Sequence, residues 1–183
     1  MLRVAITGPE STGKTTLSRQ LAAHYRASWV PEYARTYLEE NGPTYTLPNL
    51  EAIAQGQLQQ EAQVVAEAHT QGHSVVFTDT DLLVIKVWAE HAFGQCPAWI
   101  LERLQQQHYD LVLLPNIDLP WEPDPLREHP HLRHHFFQVY HQALQDLQVN
   151  FAVISGTSEA RFGQARKLVD ALLETEKTRP IIH

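Results

Sequence analysis

Four short runs of apolar and β-branched residues punctuate the chain: Arg3–Thr7, Ser74–Thr78, Leu111–Leu114 and Phe151–Ile154. Each is followed by turn-forming or polar residues, which predicts buried parallel strands. A fifth, weaker run at Ser28–Pro31 precedes the segment Glu32–Glu40. Between the runs, apolar positions recur every three to four residues. That spacing predicts helices over Lys14–Tyr25, Leu50–Gln71, Leu82–Phe93, Ala98–Gln107, Leu132–Leu147 and Glu159–Glu174, with Ser158 placed to cap the last. Strands alternating with helices predict an α/β fold of three layers, a five-stranded parallel sheet covered on both faces.

The pattern fails at about residues 116–135. With Pro115 at its edge, this stretch carries Pro120, Pro123, Pro125 and Pro130 and mixes acidic with basic residues. It reads as a mobile lid over a site. The glutamine-rich Gln55–Gln60 reads as a solvated helix face. Composition narrows the picture: 183 residues with 43% apolar content suit a single domain over 1–183 around one substantial core. A net charge of -7, with no Lys/Arg cluster longer than a dipeptide, argues against nucleic acid or a membrane surface and leaves a small molecule or a protein as partner. Cys96 is the sole cysteine, which excludes a disulfide-stapled scaffold and suits a reducing, cytoplasmic compartment. No apolar run approaches the ~20 residues of a membrane span, and no signal peptide is expected. A homo-oligomer stays open.

Chemistry concentrates first at Gly8–Thr15, G-P-E-S-T-G-K-T, between a strand and a helix. This is the spacing of a P-loop: Gly8 and Gly13 turn the backbone so that N–H groups from Glu10, Ser11, Thr12 and Gly13 to Thr16 face phosphate oxygens at a helix N-terminus. Lys14 then bridges the β- and γ-phosphates of ATP, and Thr15 ligates Mg2+. The motif predicts a P-loop NTPase fold.

Thr78-Asp79-Thr80-Asp81 follows another strand, so its carboxylates emerge at the same sheet edge as the P-loop. If the strand continues, Asp79 and Asp81 point to opposite sides, one toward the metal and the other toward a second ligand. The alternative for Asp81 is a helix cap at Leu82. Glu32 and Arg35, in V-P-E-Y-A-R, emerge beside them and suit an acceptor site, Glu32 taking a hydroxyl proton or holding a ribose diol. The alternative is an exposed i, i+3 ion pair. In the lid, Arg127 and Arg133 are spaced to meet transferring phosphate on closure, or else belong to a charged loop. His129, His131, His134 and His135 straddle a loop and a helix start, and no metal site is expected there. Trp88 and Phe93 suit a core, whereas Trp121 in a polar lid does not. The loop S-G-T-S-E-A-R-F either lines a nucleotide base through backbone near Gly156 or only starts a helix.

Together, G-P-E-S-T-G-K-T, V-P-E-Y-A-R, T-D-T-D and W-x-x-D-x-L-R resemble, in that order, the ribosylnicotinamide kinase domain of the bacterial NadR-type NAD-salvage proteins. The resemblance runs from Val4 to about Leu173. It implies a nucleoside-kinase-like fold and ATP-dependent phosphorylation of the 5′-hydroxyl of nicotinamide riboside to the mononucleotide. By position it implies phosphate and magnesium at Lys14 and Thr15, and nucleoside at Glu32, Tyr33 and Arg35. Asp79 and Asp81 fall between metal and acceptor, with Asp79 favoured over Glu32 as base, and Trp121, Asp124 and Arg127 fall in the lid. Two departures are a chain start that leaves no room for fused domains, so that the reaction is expected to stop at the mononucleotide, and Pro125 where the family's lid has glycine. Tyr33, Tyr37, Trp88 or Trp121 would stack on the cationic ring. The competing readings are a kinase for another small metabolite and a regulatory ATP-binding module.

Overall fold

The structure is a computed structural model that describes residues 1–178; the last five residues of the expected 1–183 domain, 179–183, lie outside the described residues. Five strands form one parallel sheet: β1 (Leu2–Ile6), β2 (Ser28–Val30), β3 (Val75–Asp79), β4 (Leu111–Pro115) and β5 (Phe151–Ile154), in the order β2-β3-β1-β4-β5. Among the described residues, seven helices connect and flank them: α1 (Lys14–Tyr25), α2 (Tyr33–Asn41), α3 (Leu47–Thr70), α4 (Leu82–Phe93), α5 (Ala98–Gln106), α6 (Arg133–Asp146) and α7 (Ser158–Thr178).

Side-chain alternation along the strands divides the core in two. Val4, Ile6, Phe77, Leu111 and Leu113 pack with Leu17 and Leu21 of α1 and Ala165 and Val169 of α7. Ala5, Val112 and Leu114 face the other way, toward Leu50 and Ile53 of α3, Leu82 and Ile85 of α4, Ile100 of α5 and Leu144 of α6. The expected three layers are therefore present.

Boundaries move where local bonds act. α3 starts a turn before the apolar period does, because Thr46 and Asn49 form a capping box and Pro48 fits the first turn. Ser158 is already helical, and the Arg161 N–H bonds the Thr157 carbonyl at 2.9 Å, which puts Thr157 rather than Ser158 at the cap.

The glutamines of α3 do not form a merely solvated face. Gln57 is 1% exposed and accepts from the Tyr33 N–H at 2.8 Å, and Gln60 donates to the Pro31 carbonyl at 2.6 Å. These bonds seat the start of α2. Gly56 lets it approach, because a Cβ at Gly56 would lie 2.1 Å from the Tyr33 ring. Glu32 and Arg35 are positioned by that seat.

Candidate active site

The register of the sheet brings the chemistry to one edge. Ile6 pairs with Asp79, and Val30 pairs with Thr78, so the P-loop, Asp79 and Glu32 leave adjacent carboxyl ends. The P-loop takes left-handed φ at Ser11 (55°) and Gly13 (78°), and its Gly13 ends where α1 begins. Lys14 Nζ lies across the loop, donating to the Gly8 carbonyl at 3.0 Å and the Pro9 carbonyl at 2.9 Å. Arg161 of α7 fixes the loop from behind. It is 3% exposed and donates to the carbonyls of Thr12, Asn116 and Gly156 and to the carboxylate of Asp118.

β3 ends at Asp79, and Thr80 turns the chain with φ 72°, a costly conformation for a β-branched residue of the kind that marks functional corners. The strand does not continue through Asp81, so the two carboxylates separate differently from the expectation. Asp81 stands at the N-cap position of α4, but its carboxylate accepts from the Thr7 hydroxyl at 2.8 Å and makes no cap bond. Burial pushes its pKa up to about 6. Asp79 is fully buried, and neither carboxylate oxygen is hydrogen-bonded to a described residue. Burial, reinforced by the Glu32 charge, raises its pKa to about 6 against the opposing influence of the Thr15 hydroxyl and of Lys14 and Arg35. An orphaned carboxylate beside the P-loop threonine suits a hard divalent cation. No group of three or more His, Cys, Asp or Glu side chains among the described residues is arranged to hold a metal.

A cleft opens in front of these groups, lined by the P-loop from Gly8 to Thr16, by Glu32 and Arg35, and by Leu126, Arg127 and His129 of the lid. Its wall also carries aromatic residues, Tyr45, Trp88, His91, Phe136 and Tyr140. Tyr45 and Trp88 meet edge to face at 4.6 Å. Glu32 accepts from the Thr80 hydroxyl at 3.3 Å, and Arg35 pairs with Asp124 at 3.0 Å instead of with Glu32.

The connection between β4 and α6, expected as a lid, rests on the P-loop. Ser11 Oγ accepts from the Glu122 N–H at 2.8 Å and from Arg127 at 3.3 Å, and Arg133 donates to the Ser11 carbonyl at 3.0 Å. Glu10 accepts from the Glu128 and His129 N–H groups at 3.1 and 3.3 Å.

Of the residues expected at a ligand, the structure brings Glu10 to Thr16, Glu32, Arg35, Trp88 and Arg127 to the cleft wall. It does not bring Tyr33, Asp81, Trp121, Asp124 or Gly156 there. Tyr33 is spent on Gly56, Asp81 on Thr7, and Asp124 on Arg35, while Trp121 packs under the Arg133 guanidinium at 5.9 Å. The Gly156 N–H goes to Asp118 at 2.5 Å and its carbonyl accepts from Arg161 at 2.9 Å. Asp79 is fully buried and does not line the cleft, whereas Glu32 does, together with Glu10, Glu122 and Glu128. Tyr45, His91, Phe136, Tyr140 and Arg161 were not expected. A stripe of aromatic residues on a helix reads as core, and the partners of Arg161 are remote in sequence.

A parallel sheet in this order, with a P-loop after its central strand, defines a P-loop α/β protein with a nucleoside-kinase-like fold. Residues 3–161 match the family described as AAA domain, and the chain belongs to that family. It is 30% identical over 130 residues to the trifunctional NAD biosynthesis/regulator proteins NadR of Salmonella typhimurium and Escherichia coli, covering 68% of this chain and 30% of theirs. Among solved structures it is similar to NadR in complex with NAD and AMP-PNP (25% identity, TM-score 0.72, 93% of this chain and 49% of that one). It is also similar to NadR in complex with NR (24%, 0.70, 93% and 51%). Its fold is shared by thymidylate kinase from Ehrlichia chaffeensis (13%, 0.65, 92% and 98%). The chain thus spans about a third of the curated relatives it matches. None of its described helices is long and apolar enough to cross a membrane.

Proposed function

We propose that this chain is a kinase that transfers the γ-phosphoryl group of ATP to the 5′-hydroxyl of nicotinamide riboside, yielding nicotinamide mononucleotide and ADP. The observation that carries the reading is one cleft lined together by a P-loop with its lysine, the carboxylate of Glu32, a set of aromatic side chains and Arg127. The 30% identity to NadR and the NadR complexes with NR and AMP-PNP support the choice of acceptor and donor.

The P-loop N–H groups and Lys14 bind the triphosphate. Thr15 and the orphaned Asp79 would hold Mg2+, which when bound neutralises charge on the phosphates. Glu32 orients the 5′-hydroxyl and accepts its proton as the oxygen forms its bond to the γ-phosphorus. The bond from that phosphorus to the bridging oxygen breaks, and ADP leaves with the electron pair. Arg127, already against the P-loop, stabilises charge on the transferring group. The docked lid excludes water, which would otherwise compete as acceptor. Trp88 and Tyr45 offer faces to a cationic ring, and Glu10, Glu32 and Glu128 surround it with negative charge.

The test is ADP release measured with ATP, Mg2+ and a panel of nucleosides. Release is expected with nicotinamide riboside and at background without a nucleoside. Turnover that ignores the nucleoside, or prefers a neutral one strongly, would overturn the assignment.

A further inference from the structure

Thr80, inside T-D-T-D, has a place in the site that the mechanism above does not use. It holds a left-handed φ of 72°, which a glycine adopts freely and a β-branched residue does not. Its N–H donates to the Ile6 carbonyl at 3.0 Å, tying the corner after β3 to the end of β1, just before the P-loop. Its side chain is buried, and its hydroxyl donates to Glu32 Oε1 at 3.3 Å. The strained corner thus carries a hydroxyl across from the end of β3 to the carboxylate that follows β2.

Glu32 is held elsewhere through its backbone. Gln60 donates to the Pro31 carbonyl at 2.6 Å and Gln57 accepts from the Tyr33 N–H at 2.8 Å, so α3 grips the peptide groups on both sides of Glu32. Those bonds fix where the side chain starts but leave its torsions free, and a glutamate has much rotamer freedom to lose. Among the described residues, the hydrogen bond that orders the carboxylate itself comes from Thr80, on Oε1, and leaves Oε2 for another donor. A hydrogen bond to a charged acceptor is stronger than one between neutral groups, so one hydroxyl suffices to choose the rotamer.

We propose that Thr80 is a positioning residue: its hydroxyl holds one oxygen of Glu32 so that the other is presented to the acceptor's hydroxyl. The inference rests on the reading of Glu32 as the base of a kinase. A base that is present but misaimed loses turnover, not ATP binding.

The experiment compares Thr80→Val, which deletes the hydroxyl and keeps the shape, with Thr80→Ser, which keeps the hydroxyl and deletes a methyl group. ADP release is read with ATP, Mg2+ and nicotinamide riboside. Thr80→Val is expected to lower kcat by about 10- to 100-fold, with KM for ATP within about twofold, and Thr80→Ser to stay within about threefold of wild type. Thr80→Gly, which lacks the hydroxyl and releases the strained φ, should lose turnover as Thr80→Val does. In a Glu32→Ala background, Thr80→Val should change the residual turnover by less than about twofold, because the carboxylate it acts through is gone. A packing role would reverse the order and make Thr80→Ser the worse variant. That order, wild-type turnover in Thr80→Val or Thr80→Gly, or a full loss that persists without the Glu32 carboxylate would overturn the proposal while leaving the kinase reading standing. A Glu32→Ala protein as active as wild type would remove Glu32 as base, and a wild type that phosphorylates no nucleoside would overturn the kinase reading itself. Either result takes this inference with it.

Discussion

Arg161 ties α7 to the P-loop, and removing it provides a quantitative test of how the site is held. Its guanidinium, 3% exposed, donates to three carbonyls, those of Thr12, Asn116 and Gly156, and to the carboxylate of Asp118. Burial pushes the Asp118 pKa up, but the Gly156 N–H and Arg161 outweigh it and hold the carboxyl below its usual range. Arg161→Met keeps the apolar stem and deletes every donor. Breaking a buried pair by removing one partner costs about 3–5 kcal/mol. Because the Asp118 side chain stays 33% exposed and recovers some water, the lower end applies, about 3 kcal/mol. For a chain of this size, that is a drop in Tm of roughly 6–12 °C. Urea unfolding followed by circular dichroism reads the loss directly, with the slope m unchanged. KM for ATP should rise as well, because the Thr12 carbonyl no longer fixes the P-loop. A loss below about 1 kcal/mol with unchanged KM for ATP would refute the reasoning that this side chain anchors the loop.

Three further outcomes are expected. Gly56→Ala would stabilise α3 by about 1 kcal/mol on helix preference alone. The new Cβ meets the Tyr33 ring at 2.1 Å, so a net loss of about 1–2 kcal/mol and a raised acceptor KM are expected; a more stable variant in urea would contradict the packing account. The Asp81 carboxyl is raised in the fold to about 6, so the folded state binds its proton more tightly than the unfolded chain. Stability from this group therefore falls as pH rises from about 4 through about 6, by up to about 3 kcal/mol, and stays low above. Asp81→Asn should flatten that slope in melts across pH 4–8, and an unchanged slope would count against the burial argument. Lys14→Met deletes the two hydrogen bonds to the Gly8 and Pro9 carbonyls, so melting should fall slightly while kcat falls by about 10²- to 10³-fold, read by ADP release; a variant with wild-type turnover would remove Lys14 from the phosphate site.

What could be read in the sequence was what is contiguous. The P-loop, the carboxylates after β3 and the Glu32–Arg35 edge each occupy a few successive residues after a strand, and a parallel sheet carries strand ends to one edge without further information. The rest depends on tertiary pairing. Arg161 reaches Thr12 across 149 residues, and nothing in S-G-T-S-E-A-R-F marks its arginine as different from a surface one. Tyr140 and Phe136 share a helical spacing with true core residues such as Leu144, so periodicity alone assigns them to packing. Trp121 and Asp124 drew attention as polar-lid residues, but Arg133 and Arg35 take them up. The glutamines of α3 were misread for a related reason. A polar residue that bonds to backbone, as Gln57 does to Tyr33, has the same sequence signature as one bonded to water.

The central claim is that the γ-phosphoryl group of ATP is transferred to a nucleoside hydroxyl by this protein. Incubation with ATP carrying 18O on its γ-phosphoryl oxygens, Mg2+ and nicotinamide riboside, followed by mass spectrometry, tests it most directly. The account predicts nicotinamide mononucleotide bearing three labelled oxygens, its fourth phosphoryl oxygen coming from the riboside, and little labelled inorganic phosphate. Label accumulating in inorganic phosphate while the riboside stays unphosphorylated would contradict it.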